Sequence, residues 1–160
     1  MNTKQIERAM LSNKATRAQF RGCYAANRIP LHVLRKSCCY PHSIVVNTQP
    51  YPLSGEHWIA IHVPGPDKVE YYDSFAGWPP PKHIAQLLAR LLPLSKVTRN
   101  RVRLQSDKSG ACDPHVLNFL RGRAQGRSLT AIVEHLRRPK SSPDSLASAR
   151  ARYHFNSIYR

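Results

Sequence analysis

The stretch His57-Trp58-Ile59-Ala60-Ile61-His62-Val63, then Pro64-Gly65-Pro66-Asp67, then Lys68-Val69-Glu70-Tyr71-Tyr72-Asp73 reads as a β-hairpin. Its first arm is apolar on both faces, as a strand covered on two sides must be. The Pro-Gly-Pro-Asp segment is a turn by composition. With those four residues as the loop, Val63 pairs with Lys68 and His57 falls opposite Ser74, one step from Asp73. A bulge or a shifted register brings His57 and Asp73 side by side, at roughly 5 Å between β-carbons. A carboxylate beside an imidazole fixes its tautomer and stabilises the imidazolium, so the end of this hairpin is a candidate oriented base.

Outward from the hairpin, Ser43–Thr48 has the β-branched density of another buried strand. Residues 3–18 are expected to be helical, with Ile6, Ala9, Met10 and Asn13 at helical spacing. Gly22 and Pro30 bracket an irregular stretch, and Gln49–Gly55 is a loop with two prolines. Downstream, Ser74–Pro81 is a proline-rich rigid loop and His83–Leu92 a leucine-rich helix ended by Pro93. Asn100–Gln105 alternates apolar with basic, as a half-buried strand would. A helix follows over Asp113–Ala124, with Asp113 as its N-cap and Pro114 in first position. Ser128 caps a last helix running to about Leu136. From Pro139 the composition turns to Ser, Pro, Arg and Ala. The expected organisation is one domain over residues 1–138 and a basic C-terminal tail over 139–160.

Cys112 stands just before the helix that begins near Pro114. A helix N-terminus carries partial positive charge and free N–H groups, which favour a thiolate and can hold an oxyanion. Gln105 ends the preceding strand, and its amide is a candidate second oxyanion donor. Nucleophile, base, orienting acid and oxyanion donor are the four parts that thiol acyl transfer needs. Cys112, His57, Asp73 and Gln105 supply one each.

With 160 residues the chain is about the size of one ordinary domain. Its 25 Lys and Arg against 9 Asp and Glu give a net charge of +16, which points to a polyanionic partner. Residues 82–140 hold most of the excess, 13 basic against 3 acidic side chains, net +10. Arg99, Arg101 and Arg103 are expected along one strand face, Arg121, Arg123 and Arg127 near the end of the next helix, and Arg137, Arg138 and Lys140 at the start of the tail. Such clusters bind phosphate backbones without sequence readout. In the tail, Tyr153, Phe155 and Tyr159 interleave with Arg152 and Arg160. No apolar run approaches the ~20 residues of a membrane helix, and the N-terminus lacks the apolar run of a signal peptide. A secreted or membrane protein is therefore disfavoured. Cys23, Cys38, Cys39 and Cys112 form no CxxC pair, and reduced thiols are the simplest reading.

Gly55-Glu56-His57-Trp58, Tyr72-Asp73-Ser74-Phe75, Gln105 and Ser109-Gly110-Ala111-Cys112 together resemble the adenovirus-type cysteine endopeptidases, the adenain family. Phe20–Tyr24, Ile44–Thr48 and Val116–Leu120 extend the likeness, which spans roughly residues 20–136 and is nearest to the Polinton (Maverick) transposon and related viral proteases. The resemblance implies an α+β, papain-like fold of the permuted adenain and SUMO-protease type, a central mixed sheet flanked by helices. It implies Cys112 as nucleophile, His57 as general base, Asp73 as the third, acidic member and Gln105 as oxyanion donor. Two positions depart from the family pattern. Asp113 stands where glycine normally follows the nucleophile, and Phe75-Ala76-Gly77 stands where Phe-Gly is usual.

The implied activity is endopeptidase processing of viral or transposon-particle precursors, capsid or core proteins, in the host nucleus or virion, by a monomer. No metal or cofactor is required for the chemistry. DNA is implied as an activating polyanion, and an activating peptide would not be disulfide-linked, because Leu94–Gln105 contains no cysteine. Two other readings share the residues: an isopeptidase acting on SUMO or ubiquitin-like proteins, and an inactive basic nucleic-acid-binding protein on a disabled protease scaffold, which Asp113 favours.

Overall fold

The computed structural model describes residues 1–35, 40–93, 96–138 and 141–155. Cys38, Cys39, Lys140, Tyr159 and Arg160 lie outside them. The chain opens with α1 (Thr3–Ser12), α2 (Lys14–Arg17), β1 (Phe20–Ala25) and α3 (Leu31–Arg35). Then come β2 (His42–Asn47), β3 (Trp58–Gly65), β4 (Lys68–Tyr72), α4 (Lys82–Leu91) and β5 (Thr98–Arg99). It ends in α5 (Cys112–Ala124), α6 (Leu129–Arg137) and α7 (Pro143–His154). The expected helix over 3–18 is divided at Asn13. That residue is extended, and its side chain accepts from the Ala15 N–H, so it caps α2 instead of continuing α1.

The five strands form one mixed sheet in the order β1-β2-β3-β4-β5. The outer pairs β1–β2 and β4–β5 are parallel and the inner two pairs antiparallel. Side chains alternate across the sheet. Phe20, Val45, Trp58, Ala60 and Tyr72 join one apolar cluster with residues of α1, α5, α6 and α7. Ile44, Val46, Ile59, Ile61, Val63, Val69 and Tyr71 join a second cluster with residues of α3 and α4. Helices on both faces explain why β2 is buried along its whole length and β3 as far as Val63, the polar His42, Ser43 and His62 included.

The hairpin turn is tighter than the sequence suggests. Gly65 pairs with Lys68, leaving only Pro66 and Asp67 in the bend, and an irregularity between His62 and Gly65 shifts the register. Beyond it Ala60 faces Tyr72, so the continued register places Asp73 level with Ile59 and diagonal to His57. Three other expectations are corrected. The strand expected over Asn100–Gln105 is instead the two-residue β5 just before it. Past Arg99 the chain leaves the ladder, because the Ser74 carbonyl takes both the Leu104 and Gln105 N–H groups and Asn100 turns its side chain onto Asp73. Arg99, Arg101 and Arg103 therefore do not line a strand face: Arg99 lies over Trp78, and Arg103 lies over Phe75 and pairs with Asp107. Finally, the stretch read as a tail contains α7, which packs against α5 and buries Ala147 and Ala151 in the first cluster, together with Phe155 just after it. No helix among the described residues is long and apolar enough to cross a membrane.

Candidate active site

His57 immediately precedes β3, where its carbonyl accepts from the Thr48 N–H and prolongs the β2–β3 ladder. Its ring packs against Phe75, centroid to centroid 4.7 Å. Nε2 donates to Asp73 Oδ1 at 2.7 Å. Nδ1 is buried and makes no hydrogen bond of normal geometry, and the ring's second ionisable neighbour is Cys112. Burial pushes the imidazole toward neutrality, but the hydrogen bonds and charges of Asp73 and Cys112 outweigh it and raise the pKa to about 9.

Asp73 is held more firmly than a turn former needs to be. Oδ1 also accepts from the Phe75 N–H at 2.8 Å, and Oδ2 accepts from the Gly77 N–H at 3.1 Å. Asn100 clamps its backbone from both sides: Oδ1 accepts the Asp73 N–H at 3.0 Å, and Nδ2 donates to the Asp73 carbonyl at 2.6 Å. The close turn requires Gly77, since a β-carbon there would lie 2.9 Å from Asp73 Oδ2. Ala76 between them sits in the left-handed region at φ 56°.

Gln105 is buried, and its amide is oriented at both ends. The Ser74 hydroxyl donates to Oε1 at 2.6 Å, and Nε2 donates to the Ser109 carbonyl. The second N–H of that amide is left for another acceptor. Cys112 is the first residue of α5 and only 8% exposed, more enclosed than its position in the sequence implies. The N–H groups of Cys112 and Asp113 have no acceptor within the helix, and Pro114 carries none.

Asp113 does not cap α5. Ala111 occupies the cap position, and Asp113 lies in the first turn, where a carboxylate suits the helix dipole. Its buried carboxylate faces the Met1 nitrogen at 3.4 Å. The Met1 carbonyl in turn accepts from the Trp58 indole at 3.1 Å. Met1 and Trp58 border a groove of about 730 Å³, lined also by Tyr24, Asn47, Tyr51 and Leu53 among others; Cys112, His57, Asp73 and Gln105 are not in its lining.

The structure thus couples His57 to Asp73 and to Cys112, and ties Gln105 directly to Ser74, the residue after Asp73. Sequence reasoning missed Asn100, whose role comes from a fold-dependent contact, and the left-handed bend at Ala76. It also missed the buried pair His115 Nε2–Asp144 Oδ1, 2.9 Å. Asp144 accepts as well from the Ser106 N–H, so α7 holds both α5 and the segment after Gln105. Among the described residues no group of three His, Cys, Asp or Glu side chains is placed to hold a metal ion.

No protein-family model matches the chain, and no curated protein sequence matches it. Among solved structures, the central domain of the uncharacterized Lpg1148 protein from Legionella pneumophila is similar over 99% of this chain and 97% of its own, with a TM-score of 0.59 and 14% identity. That likeness shows a shared fold. The ASFV pS273R protease is similar over 73% of this chain, with a TM-score of 0.46 and 23% identity. This chain covers 44% of that protease's length.

Proposed function

We propose that the chain is a cysteine peptidase of the permuted papain-like type, with Cys112 as nucleophile. The observation that carries this reading is the 2.7 Å bond from His57 Nε2 to Asp73, which commits one ring nitrogen and leaves Nδ1 for the thiol at the start of α5. With the ring pKa at about 9, the imidazolium is favoured at neutral pH. Cys112 Sγ, its proton held by His57, attacks the scissile carbonyl carbon and forms a C–S bond as the C=O π pair moves to oxygen. The oxyanion is met by the first N–H groups of α5 and the free N–H of Gln105 Nε2. His57 passes its proton to the leaving amine as the C–N bond breaks. Water then attacks the thioester, giving one proton to His57; the C–S bond breaks, the acid product leaves, and the starting Cys112–His57 pair is restored with that proton.

A particle precursor as substrate and a nuclear or virion location follow from the sequence resemblance and belong to this proposal, as do activation by DNA and by a non-disulfide peptide. The test is a panel of peptide vinyl sulfones and fluorogenic peptides, with ubiquitin-like conjugates as a separate arm. An adduct on Cys112 that is lost in His57→Ala is expected. Turnover of the ubiquitin-like conjugates alone would move the reading to an isopeptidase. No adduct and no turnover across the panel would leave a binding protein on this scaffold.

A further inference from the structure

The arginines of the second half differ in what they face. Arg99 and Arg103 lie over rings, and Arg103, Arg123 and Arg138 pair with Asp107, Glu70 and Glu134. Arg121 of α5, Arg127 of the α5–α6 connection and Arg150 of α7 take part in no ion pair among the described residues. All three line one small hollow, together with His135 of α6. The other polar lining residues, Asn118 and Gln125, are neutral, and no carboxylate borders it.

The cluster is partly ordered by its own contacts. Arg150 Nη1 donates to His135 Nε2, so that ring is a neutral acceptor. Arg121 Nη1 donates to Gln125 Oε1 at 3.2 Å, while its buried Nε has no hydrogen-bond partner. Burial first, then Arg150 and Arg127, hold the pKa values of Arg121 and His135 below their ordinary values. Three guanidinium groups brought together without a counter-charge cost the folded state stability, and an anion removes that cost.

We propose that Arg121, Arg127, Arg150 and His135 form a phosphate-binding site at the junction of α5, α6 and α7. The hollow has a volume of about 20 Å³, room for a single water-sized atom. One phosphate oxygen enters it, and the others remain at the rim, where guanidinium forks bind them in pairs. Arg121 is nine residues beyond Cys112, about 14 Å along α5, so the site is separate from the catalytic cleft. It stands independently of the peptidase reading.

Phosphate of this kind comes either from a nucleic-acid backbone or from a compact polyphosphate. Calorimetry of the full chain with inorganic tripolyphosphate, and anisotropy with a labelled short DNA duplex, separate the two. At least one probe is expected to bind, and Arg121→Gln or Arg150→Gln is expected to weaken it about tenfold. The double variant Arg99→Gln/Arg101→Gln, which removes more charge elsewhere, is expected to change it less than about threefold. Equal loss in that control, or no binding of either probe, would overturn the proposal. Without phosphate, Arg121→Gln and Arg150→Gln are expected to unfold at the wild-type temperature or above it. Unfolding at a lower temperature would make the arginines structural and overturn the site as well.

Discussion

At His57 two influences oppose each other, burial against the pairing with Asp73 and Cys112, and the pairing prevails. Its ring is expected to titrate by NMR near pH 9, and in Asp73→Asn to fall back toward the ordinary value of 6.5. An unchanged titration in that variant would remove Asp73 as the cause. The thiols should differ in the same spirit. Burial first, then Glu7, push the Cys23 thiol far up, whereas Cys112 sits at a helix N-terminus beside an imidazolium. Peptide mapping after brief iodoacetamide treatment is expected to find Cys112 labelled well before Cys23; the reverse order would contradict the assigned nucleophile. Ala76 bears a left-handed backbone that glycine adopts freely. Ala76→Gly is expected to raise stability in urea by about 1 kcal/mol. A destabilised variant would show that the bend is held without strain.

Between elements, the Asp144 carboxylate of α7 joins the buried His115 of α5 to the Ser106 N–H. Asp144→Ala leaves the buried His115 Nε2–H without its acceptor, while the exposed Ser106 N–H turns to water, and a loss of about 1–3 kcal/mol is expected from chemical denaturation. A loss within about 0.5 kcal/mol would match an ordinary surface substitution and make the bridge incidental. This bridge also marks where the sequence stops being legible. Strands β2, β3 and β4 and helices α4, α5 and α6 could be read because their apolar spacing is local, whereas β1 falls partly in the stretch after Gly22 that reads as irregular; the pairing of His57 with Asp73 could be read because both stand at one hairpin end. Helix α7 could not, since it buries mainly alanines and its Pro, Ser and Arg content imitates a tail. The strand expected over residues 100–105 failed for the opposite reason: its alternation is real, but Ser74 and Asn100 take the backbone groups a ladder would use. Asn100 itself left no sequence signal, because its contact with Asp73 spans 27 positions.

For the molecule as a whole, stability should peak near pH 6.5. The raised pKa of His57 contributes stability that is complete below 6.5 and is lost as pH rises to about 9. His62 behaves oppositely. Burial, with Arg123 and His42, lowers its pKa to about 3, so its contribution is complete above 6.5 and is lost as pH falls. Burial lowers His115 too, with the same sign. Each group contributes at most about 1.4 kcal/mol per pH unit across its window. Tm measured from pH 4 to 9.5 should therefore fall on both sides of the maximum; a flat profile would contradict the buried environments of His57 and His62. The two-faced sheet has a spectroscopic consequence. The chain has two tryptophans, Trp58 in the layer of α1 and α5 and Trp78 against the layer of α4. Single Trp→Phe variants therefore give each layer its own fluorophore, and coincident emission changes during unfolding would show that both layers come apart in one cooperative step.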